Sequence, residues 1–196
     1  MTLLVSPVSE HDALEERILD ATVEQVAATG FRHLALEDVA KRAATTRVTL
    51  YRRFGRREAL IEAMTVRETR RFIDALAAAA GDLDTIEDRG VEAFVVGLGF
   101  MRAHPVARRA IDHEREAIIE YLEADHGRLL QMSRDFVATA LQAEGAAGRR
   151  AEVVAETLVR LFVSFLLLPA SAVALDDERA LRAYARATVA PLVGVR

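Results

Sequence analysis

The chain has no cysteine, no tryptophan, a single lysine and only four prolines in 196 residues. Without cysteine there is no disulfide framework, no thiolate nucleophile and no Cys-ligated zinc or iron–sulfur cluster, which fits a reducing compartment. Long apolar runs are also missing. The longest uncharged stretch near the C-terminus, Leu161 to Leu175, is 15 residues and contains Pro169, whereas a membrane span needs roughly 20 apolar residues. Met1 to Ser9 has no basic residue ahead of its short apolar run, so it makes a poor export signal. A soluble cytoplasmic protein is expected, with no membrane partner. Catalytic signatures are absent too: no G-x-S-x-G, no phosphate-binding Walker loop and no H-E-x-x-H. Gly97-Leu98-Gly99 begins a G-x-G, but Arg102 stands where a third glycine is needed. His113, Glu116 and Glu120 fall on one helix face with Asp125 and His126 nearby. Two acids and one histidine on a charged helix read as a solvated face. No metal, no cofactor and no enzymatic activity are expected.

Hydrophobic residues make up 52% of the chain, enough for a sizeable core and too many for disorder. Ala, Arg, Leu and Glu together exceed half of it. These are strong helix formers, so the fold expected is all-α. Ser9 and Asp12 have capping-box spacing, which predicts a first helix from near Ser9. Gly30 ends it. A short helix follows at about Leu36–Ala43 with Val39, Ala40 and Ala43 inward. Ala44 to Thr46 form a tight break, and Thr46 caps a third helix at about Arg47–Phe54. Gly55 breaks again before a long fourth helix to about Ala80. Gly81 to Asp84 reads as the domain boundary, giving residues 9–64 (their last helix running on to about 80) and residues 84–196. Thr85 with Asp88 opens a helix to Ala103, and Pro105 a short one through Ile111. One or two helices cover about Glu114 to Ala143, and Gly145 and Gly148 bracket a loop. A nearly all-apolar helix spans Ala151–Leu168. The last runs from Asp176 to about Val193, its acidic start suiting the helix dipole.

Charge is unevenly placed. The chain carries −4 overall, yet Val39 to Arg57 holds Lys41, Arg42, Arg47, Arg52, Arg53, Arg56 and Arg57 and no acid, a local +7. The run coincides with two short helices joined by a tight turn, the helix-turn-helix layout in which the second helix enters the major groove. Crowding arginines costs self-repulsion unless a polyanion is near, and duplex DNA offers one charge per ~1.7 Å of axis. Leu50 and Phe54, four apart, face the core. Arg47, Thr49, Arg52 and Arg53 lie off that stripe and are expected to point outward. Arginine can grip guanine O6 and N7, and a threonine methyl can meet thymine.

From Glu16 to Met64 the sequence resembles the TetR (tetracycline-repressor-like) family of transcriptional regulators. The resemblance rests on "RILDATVEQVAATGF" (Arg17 to Phe31), "LEDVAKRA" (Leu36 to Ala43) and above all "TRVTLYRRFGRREAL" (Thr46 to Leu60), with its Thr-Leu-Tyr-x-x-Phe core. It implies an N-terminal three-helix DNA-binding domain, a C-terminal helical domain that dimerises and binds an effector, and a homodimer on duplex DNA. By that resemblance Thr46 and Arg47 begin the recognition helix and meet backbone or bases. Thr49 and Arg53 face bases, Tyr51 and Arg57 meet phosphates, and Arg52 lies near the groove. Three positions depart from the family pattern. Ala44 replaces the usual turn glycine, at roughly 1–2 kcal/mol if its φ is positive. Ala35 replaces a capping threonine, and Val48 a frequent glycine.

The remainder matches that family only in length, helix content and a hydrophobic penultimate helix. A helix apolar nearly all round, such as Ala151–Leu168, must be buried on more than one side. Either it is a central core helix, or it pairs with the last helix in a two-fold dimer that sets two recognition helices one DNA turn apart. An effector pocket is sought among Phe94, Leu98, Met101, Tyr121, Met132, Phe136 and Phe162, with Gly97 and Gly99 opening space beside them. Plain core is the alternative for each. The set is apolar, so an uncharged or lipophilic effector is expected. The function read from all this is a ligand-responsive repressor. A helical small-molecule enzyme would need a catalytic constellation. A protein-interaction adaptor would present Arg47 to Arg57 to an acidic partner. Binding to duplex DNA separates the first reading from both.

Overall fold

The computed structural model describes residues 12–194 except residue 169, and omits the side chains at 117, 120, 121 and 124–126. Among the described residues the fold is all-α, with no strand. The elements are α1 (Ala13–Thr29), a 3-10 turn (Phe31–His33), α2 (Leu36–Arg42), α3 (Arg47–Phe54), α4 (Arg57–Ala80), α5 (Ile86–Ala103), α6 (Pro105–His113), α7 (Arg115–Ala143), α8 (Gly148–Leu167) and α9 (Glu178–Gly194). The chain forms two compact units, Met1–Arg70 and Arg71–Arg196. They divide inside α4, not at the Gly81–Asp84 break. No helix among the described residues is long and apolar enough to cross a membrane.

In the first unit, α1 begins at Ala13 rather than near Ser9, which lies outside the described residues. Asp12 is the cap: its Oδ1 accepts from the N–H of Leu14 at 3.0 Å and of Glu15 at 2.9 Å. One carboxylate thus satisfies two of the orphan amides of the first turn. The core joins Ile18, Leu19 and Val26 of α1, Val39 of α2, Leu50 of α3 and Leu60 of α4, all buried. The expected cap of α3 is present, Thr46 Oγ1 accepting from the N–H of Thr49 at 3.1 Å. Gly55 ends α3 at φ +72°.

At the α2–α3 turn Ala44 stands at φ +49°. An L-residue there costs roughly 1–2 kcal/mol. Ala35, before α2, makes no side-chain cap bond. Ala44→Gly is therefore expected to stabilise the protein. Glycine's looser unfolded chain takes back about 0.4–1 kcal/mol, so the net gain is about 1 kcal/mol, seen as a higher Tm. An unchanged or lower Tm would show that the turn carries no strain.

The second unit is built on α5 against α9 and α7 against α8. Leu181, Ala185, Val189 and Val193, one stripe of α9, are buried with Val91, Val95 and Leu98 of α5. Gly90 allows the close approach: a Cβ there would sit 3.0 Å from a methyl of Val193. Arg182 fastens the same helices, pairing with Glu92 at 2.6 and 3.0 Å and with Glu178 at 2.6 Å. That guanidinium holds the Glu92 carboxyl below its ordinary range. The segment read as one or two helices is the single α7, with Gly127 at positive φ within it. Gly148 is the first residue of α8 rather than part of a loop. In α8 Ala151, Val154, Ala155 and Val159 are buried, while residues 161–167 are mostly part-exposed.

Candidate nucleic-acid interface

A helix turns about 100° per residue, and α3 shows what that does to its side chains. Leu50 is buried and Phe54, four residues on, is half-buried. About 200° around from Leu50 stands Arg52, with Val48 about 40° from it. Both are exposed, Val48 at 77%. Arg47 and Arg53 fall at the margins, where α2 and α1 can reach them.

They do reach them. Arg47 pairs with Glu37 of α2. Its guanidinium lies 5.2 Å over the Tyr51 ring and donates to Tyr51 Oη at 3.3 Å. Tyr51 is itself 40% exposed. Thr46 and Thr49 hold their hydroxyls 3.0 Å apart at the helix start. Arg53 corrects the expectation that it points outward. Its Nη1 lies 2.6 Å from Asp12 Oδ2 and 3.0 Å from Glu15 Oε1, and its side chain is only 24% exposed. The Glu15 N–H and the Arg53 guanidinium together hold the Asp12 carboxyl below the usual carboxylate range. Arg57 is also turned inward. Its Nε donates to the Leu34 carbonyl at 3.2 Å and its Nη2 to that of Phe31, so it orders the turn before α2. Arg42 donates to the buried Gln25 at 2.8 Å and pairs with Glu24 at 3.3 Å.

The +7 of the sequence window is thus not the charge of the folded surface. Asp12, Glu15, Glu24 and Glu37, all from outside the cationic cluster, sit against three of its arginines. Lys41, Arg52 and Arg56 are exposed. The sequence reading missed these acids. They are scattered along α1 and at the start of α2, and no local spacing marks them as partners.

Among the described residues, those sought as an effector pocket are not brought into one cavity. Phe94 and Leu98 are buried in the α5 core, and Phe162 packs against it. Met132 and Phe136 stand on α7, 40% and 48% exposed. Met101 is part-exposed, and the Tyr121 side chain lies outside the described residues. Gly97 opens no space, because a Cβ there would meet Leu76 at 3.1 Å and Phe162 at 3.3 Å. Gly99 has open space beside it. What the structure does assemble is an aromatic run that the sequence reading did not see. Phe100 meets Phe72, Phe72 meets Phe162, Phe162 meets Phe94, Phe94 meets Phe165, and Phe165 meets Tyr184, each edge to face. Two open clefts of this unit are lined by charged groups instead. One of about 280 Å³ includes Arg134, Asp135, Glu152 and Glu156. The other, about 440 Å³, includes Arg102, Arg108, Asp112 and Asp176.

Residues 18–64 match the family described as bacterial regulatory proteins, tetR family. No curated protein matches the chain. Solved structures share the fold across both units. The TetR family repressor AlkX from Dietzia sp. strain DQ12-45-1b, implicated in biodegradation of n-alkanes, is 21% identical, with a TM-score of 0.60 over 91% of this chain and 94% of that one. The fatty acid degradation regulator FadR from Bacillus halodurans is 15% identical, with a TM-score of 0.64 over 94% and 97%. A bacterial regulatory protein in the tetR family from Rhodococcus RHA1 is 17% identical, with a TM-score of 0.64 over 95% and 100%. These structures and the matched family are of regulators, not enzymes.

Proposed function

We propose, from the match of residues 18–64 to bacterial regulatory proteins of the tetR family and from the fold shared with solved structures, that the chain is a sequence-specific DNA-binding transcriptional regulator, a ligand-responsive repressor that binds a near-palindromic operator as a homodimer. The observation that carries this reading is the outward face of α3. Val48 and Arg52 stand opposite the buried Leu50, and the exposed Arg47 and Tyr51 flank them. A two-turn helix with a short polar start and an exposed cationic face has the shape the major groove admits. In this reading Thr46 and Thr49 meet DNA at the helix start, and Arg47 and Tyr51 meet the phosphate backbone.

The dimer is proposed through α8 and α9. Each keeps an exposed face beside its buried one: Val153, Thr157 and Ser164 on α8, with Leu168 just past its end, and Ala183, Ala187 and Pro191 on α9. A two-fold pairing there sets the recognition helices ~34–36 Å apart, one DNA turn. An uncharged or lipophilic effector is proposed for the second unit, supported by the apolar aromatic run from Phe100 to Tyr184.

Selection of bound sequences from random duplexes tests the reading. The expected result is one enriched, near-palindromic sequence, bound with a log–log salt slope of about −0.9 per phosphate neutralised. No enriched sequence, or a flat salt response, would point to the adaptor instead. On the selected duplex, lipophilic compounds are expected to release the protein. Release by strongly charged metabolites alone would remove the effector proposal while leaving DNA binding intact.

A further inference from the structure

We propose that Arg53 is a positioning residue that fixes the recognition helix against the start of α1, and that Arg52 is the arginine of α3 that reads base edges. This inference rests on the DNA-binding reading above and assigns roles within it.

A guanidinium grips guanine O6 and N7 through two N–H groups on one edge. Arg53 has neither edge free. The end-on edge needs Nη1, which serves both Asp12 at 2.6 Å and Glu15 at 3.0 Å. The side-on edge needs Nε, which is buried with no partner among the described residues. Asp12 is itself immobilised, since its other oxygen accepts from the Leu14 and Glu15 amides at 3.0 and 2.9 Å. One carboxylate therefore starts α1 and anchors α3 at once. Swinging Arg53 toward DNA would strip the start of α1 of its counter-charge and leave two acids facing phosphates. Arg52 has the opposite situation. It is exposed and points away from the Leu50–Phe54 stripe, about 200° around from Leu50. Val48, one turn before it, is the most exposed large apolar side chain of α3 at 77%. Among the described residues nothing holds either edge of the Arg52 guanidinium away from a base pair.

The two roles predict different damage. A base reader sets which sequence is bound. A positioning residue sets how well any sequence is bound. Random-duplex selection followed by titration on the selected duplex is to be run on wild type, Arg52→Ala, Arg53→Ala and Arg53→Lys. For Arg53→Ala the expected result is the wild-type motif, with specific and non-specific duplexes weakened by the same factor of about ten. Arg53→Lys is expected to restore most of that loss, because a single ammonium can stand where Nη1 serves both carboxylates. Arg52→Ala is expected to lose the preference at one base pair, by about 5- to 150-fold, with little change on non-specific DNA. The proposal is overturned if Arg53→Ala degrades the motif while Arg52→Ala leaves it whole. Should Arg53→Ala not fold, Arg53→Lys decides: an unchanged motif supports the positioning role and a shifted motif refutes it. If wild type enriches no duplex, the DNA-binding reading falls and this assignment with it. A wild-type motif with these roles exchanged sinks the assignment alone.

Discussion

Arg67→Ala is expected to destabilise the first unit by about 3–4 kcal/mol, the lower half of the range for breaking a buried ion pair. The Arg67 side chain is 5% exposed, the most deeply buried charge among the described residues of that unit. Its Nη1 lies 3.1 Å from Glu16 and 2.9 Å from Asp20 on α1, and donates to the Glu16 carbonyl at 3.2 Å. Its Nη2 lies 2.6 Å from Glu68 on α4 itself. Arg67 is thus the cation shared by three carboxylates and a tie between α1 and α4. The exposure of the three carboxylates sets the size of the loss. Asp20, at 56%, and Glu16, at 38%, can turn to water when the arginine goes; Glu68, at 14%, cannot. Arg67→Lys keeps a charge but not the fork, so it should recover only part of the loss. Thermal unfolding, with amide exchange resolving α1 and α4, checks the result. A loss below about 1 kcal/mol would mean that this cluster behaves as an ordinary surface network.

What the sequence makes legible is what is encoded locally. The limits of α3 were readable because Thr46 caps within three residues and Gly55 stops within one turn. Ala44 was singled out only through the resemblance, which puts glycine at that turn, and its positive φ of 49° is a property of the fold. Apolar spacing identified Leu50 and Val39 as core. What could not be read depends on contacts across the chain. Arg53 meets Glu15 over 38 residues, and Arg57 meets the Leu34 carbonyl over 23. A helical wheel puts Arg53 off the apolar stripe of α3 without saying that a neighbouring helix is there to receive it, and Arg57 had a role only through the family resemblance. The same gap scattered the effector set. Periodicity gives Met132 and Phe136 an apolar face, but the cover for that face is a property of the assembled fold, and they stand 40% and 48% exposed. The start of α1 failed for a different reason. Ser9 and Asp12 are both good caps, and only the geometry shows that Asp12 takes both amides and then reaches Arg53 with its second oxygen.

Leu50→Ala is expected to cost about 2–5 kcal/mol, the usual loss for a fully buried leucine, and to abolish operator binding. The helix α3 has eight residues, and Leu50 is the one that is buried. A helix of two turns has no stability of its own in water. It persists because Leu50 is seated in the core, Thr46 caps one end and Gly55 closes the other. Shortening Leu50 removes the seat and leaves a void under the helix whose outer face is proposed to meet DNA. The α3 amides should therefore lose exchange protection before those of α4, which has Leu60 and Met64 buried independently. Val48→Ala is the control. At 77% exposure it should change stability by less than about 0.5 kcal/mol, so any effect on binding reports on contact with DNA. If Leu50→Ala kept wild-type Tm and wild-type α3 protection, the recognition helix would be held by its rim of ion pairs rather than by its core, and the order of effects derived for α3 would have to be reversed.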